Sequence, residues 1–204
     1  MITQAKMRKI VREIAGIDQR FIKVIDSSEL CDLGISNPER SHFESLVSSV
    51  ISQQLATAAA RTIKERFALE CGKITPKNVA AMDLSQLRAA GLSGAKSKTI
   101  QGLATAALER SVDFKNLHEM SDDDVYRDLT ALWGIGPWTV DMFMMFQLGR
   151  LDIWPTGDLG VRRGWEKIHK LKSEITPDEL FKKGDKFKPH RSIVAWYCWR
   201  ALDL

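Results

Sequence analysis

The chain of 204 residues predicts an all-α protein. Apolar residues recur every three to four positions along most of its length. Helix-start signals of the Thr-Pro and Ser-Asp kind punctuate that pattern, and almost no strand-like alternation of apolar and polar residues interrupts it. There is no repeat of fixed period and no low-complexity linker.

From Thr3 to Ile14, the apolar Met7, Ile10, Val11 and Ile14 fall at helical spacing between Lys6, Arg8, Lys9 and Arg12, which reads as an amphipathic helix with a basic, solvated face. Phe21, Ile22, Val24 and Ile25 extend the apolar content before Asp26-Ser27-Ser28-Glu29 punctuates the chain, and Asn37-Pro38 breaks it again. Two helical segments follow between Glu39 and Glu70. Phe43, Leu46, Val47, Val50 and Ile51 share one face of the first, and Ala58, Ile63 and Phe67 continue along the second. Between them Ser52-Gln53-Gln54-Leu55 reads, on its own residues, as a solvent-facing turn.

Thr75-Pro76 pairs an N-cap with a proline in the first helical turn and opens a short helix through Met82. Ser85 to Ala90 then runs into Gly91-Leu92-Ser93-Gly94-Ala95-Lys96-Ser97-Lys98, a glycine-containing turn whose lysines read as a solvated charge pair. An alanine-rich helix continues from Lys98 to Glu109. Ser121 caps the next helix. Asp122, Asp123 and Asp124 are favoured there by the positive end of the helix dipole, so they need no metal to explain them.

The chain is organised around Leu129 to Gly164. A short helix closes on Trp133-Gly134-Ile135-Gly136 and a second opens at Pro137. Glycines at alternate positions allow a tight turn that leaves main-chain N–H groups unpaired at a helix start, and such a start binds anions, phosphate above all. Met142, Phe143, Met144, Met145, Phe146 and Leu148 make the second helix apolar on nearly all sides, which predicts burial. Asp158 is a lone carboxylate in a glycine-rich loop, and its residues alone read as the cap of a helix beginning at Leu159; the stretch from Val161 to Leu171 reads as helical. Thr176-Pro177 opens a further helix, and Pro189 precedes a last one from Arg191 to Leu202.

Composition narrows the field less. The content is 44% hydrophobic and 27% charged, with 30 Lys+Arg against 26 Asp+Glu, a net charge of +4 and a pI near 9.0. This permits a polyanionic partner without selecting one. Cys31, Cys71 and Cys198 are too scattered for a disulfide framework or a zinc site. His42, His118, His169 and His190 lack ligand spacing, and no Ser/His/Asp or Cys/His set emerges. The start is polar rather than a signal peptide, and no apolar run approaches bilayer thickness. The expected location is therefore the cytoplasm, or the nucleus in a eukaryote, with no membrane partner.

Leu132-Trp133-Gly134-Ile135-Gly136-Pro137-Trp138-Thr139-Val140, followed by Trp154-Pro155-Thr156-Gly157-Asp158-Leu159-Gly160-Val161, resembles the helix-hairpin-helix (HhH-GPD) superfamily of DNA glycosylases. Within it the match is to the 3-methyladenine DNA glycosylase II branch, and it covers the chain from about Pro38 to the C-terminus. The resemblance implies two helical lobes with the active cleft between them: residues of about 1–37 with 146–204 in one, and about 38–145, including the hairpin at 129–140, in the other. The implied activity is excision of alkylated bases, of the 3-methyladenine and 7-methylguanine class, from double-stranded DNA by base flipping and hydrolysis.

By the same resemblance, Asp158 is the catalytic carboxylate, stabilising positive charge on the deoxyribose as the base departs. Trp138, Trp199 and Met142 line the base pocket, Met142 standing where some relatives carry tyrosine, while Trp133, Trp154 and Trp165 are read as core. Gln54, with Leu55 as the next choice, is the wedge that enters the stack. Gly134, Gly136 and Thr139 grip phosphate, and the main-chain carbonyls of Thr130, Leu132 and Ile135 hold a monovalent cation, Na⁺ or K⁺, that takes no part in the chemistry. Arg162 and Arg163 face the strand or solvent, and Arg191 is structural or phosphate-facing.

The bifunctional branch has a lysine where Trp138 stands, so no lyase step is expected. The cysteines of an iron–sulfur loop are missing, so neither that cluster nor another cofactor is expected for the chemistry. A monomer is the family expectation. Two alternatives remain open from sequence: a non-catalytic hairpin module that binds DNA, and a glycosylase for uracil, mismatched or oxidised bases.

Overall fold

The computed structural model describes residues 2–35 and 39–204, and the chain break read at Asn37-Pro38 lies outside them. The helices are α1 Gln4–Ile17, α2 Ile22–Asp26, α3 His42–Ser52, α4 Thr57–Cys71, α5 Pro76–Ala81, α6 Leu84–Ala89, α7 Gly94–Leu108, α8 Asp122–Thr130, α9 Pro137–Phe146, α10 Leu159–His169, α11 Pro177–Gly184 and α12 Arg191–Leu202. Among the described residues there is no strand, and no helix is long and apolar enough to cross a membrane. The protein is all-α. The chain forms two compact units, Met1–Asn37 with Met144–Leu204, and Pro38–Phe143, the division falling within α9.

The discontinuous unit is built on α1, α10 and α12. Met7, Ile10, Val11 and Ile14 are the buried residues of α1, as their spacing requires, and Thr3 caps it by accepting the Lys6 N–H. Phe21 meets the edges of Trp165 and Phe187 at 5.9 and 5.7 Å. Helices α10 and α12 touch backbone to backbone at Gly164, where a Cβ would lie 1.8 Å from the Cys198 carbonyl oxygen.

This unit also encloses the carboxylate of Asp18. The side chain is 3% exposed and accepts Arg20 Nε at 2.7 Å, Arg20 Nη2 at 2.8 Å and Lys186 Nζ at 2.9 Å, with His169 Nε2 at 3.2 Å. Burial by itself would raise the Asp18 carboxyl. The hydrogen bonds from Arg20, Lys186 and His169 outweigh it and hold the group well below its ordinary 3.8. A folded-state value below the unfolded one gives stability that is present above pH 3.8 and is lost as acid titrates the folded carboxylate. Arg20 and Lys186 are about half exposed, so solvent discounts the pairing to about 2 kcal/mol. Asp18→Asn keeps the volume and an oxygen that can still accept the Arg20 backbone N–H, now 3.2 Å from Oδ1, but loses the charge. It should lower Tm by about 4–8 °C at pH 7, and Tm measured against pH should show the gap between the two proteins narrowing steadily as pH falls below 3.8.

The continuous unit packs α3, α5 and α6 against α7, with α4 lying against α3 and α6. Phe43, Leu46, Val47, Val50, Ile51, Phe67, Leu87, Ile100 and Leu103 are all buried. In α4, Ala60 takes the inward position and Ala58 faces solvent, two residues from the expected pattern. Helix α7 begins four residues before its predicted start, because Ser93 accepts the Lys96 N–H and Gly94 occupies the first helical position. The Ser-Gly pair that reads as a turn is a cap. Ser121 and Thr75 cap α8 and α5 as expected, and Asp83 with Gln86 adds a capping box on α6 that sequence reading passes over.

Candidate functional site

The hairpin lies in the continuous unit. Helix α8 ends at Thr130, the chain turns through Gly134 at φ +80°, and α9 starts at Pro137. A Cβ on Gly134 would sit 2.0 Å from Thr99 Oγ1 of α7, so both the backbone angle and the close approach require glycine. Ile135 N donates to the Leu132 carbonyl at 3.1 Å, and Thr139 and Val140 N donate to the Gly136 carbonyl at 3.0 and 3.2 Å. Among the described residues the N–H groups of Gly134 and Gly136 make no hydrogen bond, so the turn presents donors at the positive end of α9. Thr139 departs from expectation. It is 2% exposed, its amide is used within the turn and its hydroxyl accepts Gln53 Nε2 at 3.0 Å, so it faces inward rather than toward phosphate.

Two aromatic expectations also change. Trp133 is 54% exposed instead of core, and Lys98 Nζ lies 4.3 Å from its ring centroid. Lys96, read as solvated, donates to the carbonyls of Ile51 and Gln53, 2.8 Å each, closing the C-terminal end of α3. Along α9, Phe143, Met144 and Met145 are buried, but Phe146 is half exposed. Trp138, Met142 and Phe146 recur every fourth residue and share one face. Burial on all sides was the wrong reading of an apolar helix that keeps one aromatic stripe open.

Gln54 and Leu55 sit on the turn between α3 and α4, both exposed, with Gln54 at φ +55°. A glutamine in the left-handed region costs on the order of 1 kcal/mol. The turn is held in that shape by Lys96 on its carbonyls and by Gln53, whose Nε2 also donates to the Gly134 carbonyl at 3.2 Å.

Asp158 lies in the discontinuous unit and is positioned from both sides. The segment leading to it is stitched to the start of α12: Arg191 grips Asp152 through Nε and Nη2 at 2.8 and 2.9 Å, and the Ser192 hydroxyl accepts Ile153 N at 2.8 Å and donates to the Arg150 carbonyl. Arg191 is thereby structural. Trp154 is buried with its Nε1 on the Leu180 carbonyl at 2.9 Å, and Trp165 is buried too, as read from sequence. Asp158 then caps α10, its Oδ1 accepting Val161 N at 2.8 Å and Trp199 Nε1 at 2.9 Å.

The structure thus brings Asp158 and Trp199 together, and Phe146 stacks on Trp199 at 5.8 Å and 26°. Phe146 was not among the expected pocket residues; its only signal was the four-residue step from Trp138 and Met142. Gly160 makes the approach of Trp199 feasible, since a Cβ there would meet the indole at 2.8 Å. Arg163 is committed to Glu166 and Glu174, and Arg162 reaches the Ile175 carbonyl at 3.4 Å.

A glycine hairpin with free amides, an exposed turn braced against it, and a capped carboxylate bonded to an indole define a class. The family model described as HhH-GPD superfamily base excision DNA repair protein matches residues 47–190, and the chain belongs to that superfamily. It is similar to the alkylbase DNA glycosidase-like protein mag2 of Schizosaccharomyces pombe, 29% identical over 209 aligned positions that take in 100% of this chain and 98% of the other. It is also similar to DNA-3-methyladenine glycosylase 1 of the same yeast, 30% identical over 94% of this chain and 86% of that one. Among solved structures, the S. pombe 3-methyladenine DNA glycosylase Mag1 in complex with abasic DNA matches with a TM-score of 0.84 and 28% identity, over 96% of this chain and 97% of the other.

Proposed function

We propose that the protein is a DNA glycosylase that removes alkylated bases from double-stranded DNA by hydrolysis, in base excision repair. The observation that carries this is Asp158: a carboxylate fixed at a helix N-terminus, with one oxygen bonded to the Trp199 indole. Breaking an N-glycosidic bond builds positive charge on the sugar, and a pre-positioned carboxylate stabilises it without reorganising. The water oxygen bonds to C1′ and releases one proton to solvent, while the base leaves with the bonding electron pair. An alkylated purine carries positive charge and departs neutral, so no strong general acid is required.

Trp199 and the Phe146 ring stacked on it suit an electron-poor base. The amides of Gly134 and Gly136 would hold phosphate, and Gln54, then Leu55, would occupy the space the flipped base leaves. The absence of an amine at Trp138 supports hydrolysis without strand cleavage. The carbonyls of Thr130, Leu132 and Ile135 are hard oxygen donors following the negative end of α8. Those of Thr130 and Ile135 accept no hydrogen bond among the described residues, so they fit a Na⁺ or K⁺ that would steady the hairpin.

Duplex DNA treated to contain 3-methyladenine and 7-methylguanine tests the reading. Free methylated purines should be released, and the strands should stay intact until alkali is added. Absence of release from this substrate would overturn the alkylbase assignment. Affinity for duplex DNA should fall linearly in log–log terms with salt, with a slope of about −0.9 for each phosphate held, and titration at several salt concentrations measures it.

A further inference from the structure

We propose that Gln53 is a positioning residue that latches the wedge turn to the phosphate-gripping hairpin, so that holding the backbone and extruding the base are one event. This rests on the glycosylase reading above. The wedge itself, Gln54, has neither a favourable backbone angle nor a rigid side chain, so something must hold it in place. Its neighbour does so. Gln53 Nε2 spends both protons across the gap in sequence, one on the Gly134 carbonyl at 3.2 Å and one on Thr139 Oγ1 at 3.0 Å.

Both acceptors belong to the hairpin. A trans peptide points its carbonyl and its following N–H in opposite directions. Ile135 N already donates to the Leu132 carbonyl, so the Gly134–Ile135 peptide plane is fixed within the hairpin, and the Gly134 carbonyl is a rigid anchor on which Gln53 is held rather than a group that Gln53 orients. Lys96 completes the brace from the other side by bonding the Gln53 carbonyl. The two bonds of Gln53 thus transmit the hairpin's position to the strained residue one step along the chain. Thr139, buried and unavailable to DNA, is the far end of this latch.

The test separates gripping from extrusion. Gln53→Met keeps length and volume and removes both donors, and Thr139→Val removes one acceptor. The probes are an undamaged duplex, for affinity and its salt slope, and a duplex with 2-aminopurine beside a non-cleavable abasic analogue, whose fluorescence reports unstacking. Wild type should unstack the probe. Gln53→Met should bind the undamaged duplex within about twofold of wild type with the same salt slope, while its extruded-to-stacked ratio falls about tenfold. Thr139→Val should fall less, and the double variant should be no worse than Gln53→Met alone, because both changes remove the same bond.

Equal unstacking by wild type and Gln53→Met overturns the latch. So does a parallel loss of thermal stability, undamaged-duplex affinity and unstacking, with additive effects in the double variant, since that is what a merely structural contact produces. A wild type that binds the duplex but never unstacks the probe overturns the glycosylase reading itself, and the latch with it.

Discussion

Asp158→Asn is expected to cut base release at least a hundredfold, about the effect of removing one pre-organised electrostatic group, while the fold and the affinity for duplex DNA stay in place. The asparagine carbonyl can accept the same two bonds that Asp158 Oδ1 accepts, from Val161 N and Trp199 Nε1. Asparagine is also as good an N-cap as aspartate. What disappears is the negative charge. Tm should therefore shift by no more than about 2 °C, and single-turnover release of methylated purine should carry the whole loss. Asp158→Ala is the contrasting case: it removes the cap, worth about 1 kcal/mol, and leaves the Trp199 N–H without that acceptor. Alanine should thus lower stability and activity together. Asparagine with undiminished turnover would remove Asp158 from the mechanism.

Gly164→Ala should be the most damaging single methyl group in the chain. Its Cβ would stand 1.8 Å from the Cys198 carbonyl oxygen and 2.8 Å from the Cys198 Cα, with backbone on both sides of the contact. No rotamer change relieves that clash, so α10 and α12 must move apart, at a cost of about 3 kcal/mol or more. Thermal unfolding should show Tm lower by about 6–12 °C. Because Asp158 starts α10 and Trp199 sits on α12, their hydrogen bond should weaken too, and activity should fall below what the folded fraction explains. Gly102→Ala is the control. This exposed glycine in α7 has nothing within 4 Å of its Cβ position, and the change should stabilise the protein by about 0.5–1 kcal/mol.

What the chain disclosed in advance follows the range of the forces involved. Caps and periodicity are local, so Thr75, Ser121 and Thr176 marked their helix starts and the inward faces of α1 and α3 were readable. The hairpin at Gly134 and Gly136 and the cap at Asp158 were local as well. Trp133, Thr139 and Lys96 were misread because their partners lie far along the chain: Lys98 for Trp133, Gln53 for Thr139, and the end of α3 for Lys96. Nothing in the spacing of an apolar helix says that Phe146 will stack on a tryptophan of the last helix. Gln53 was passed over for a related reason, since a polar residue beside a turn looks the same whether it meets water or a buried threonine.

The discontinuity of one unit sets an order of assembly. The hairpin and the turn bearing Gln54 belong to one uninterrupted segment, Pro38–Phe143, so Lys96, Lys98 and Thr99, which brace them, have been synthesised before residue 144 is added. The other unit must wait. Asp18 finds His169 and Lys186 across 151 and 168 residues, and Asp158 finds Trp199 only once the final helix exists. Loop closure over such spans is slow and entropically costly. On the ribosome, the unit that carries the hairpin is made without interruption, and the carboxylate is set against its indole only after α12 has followed it.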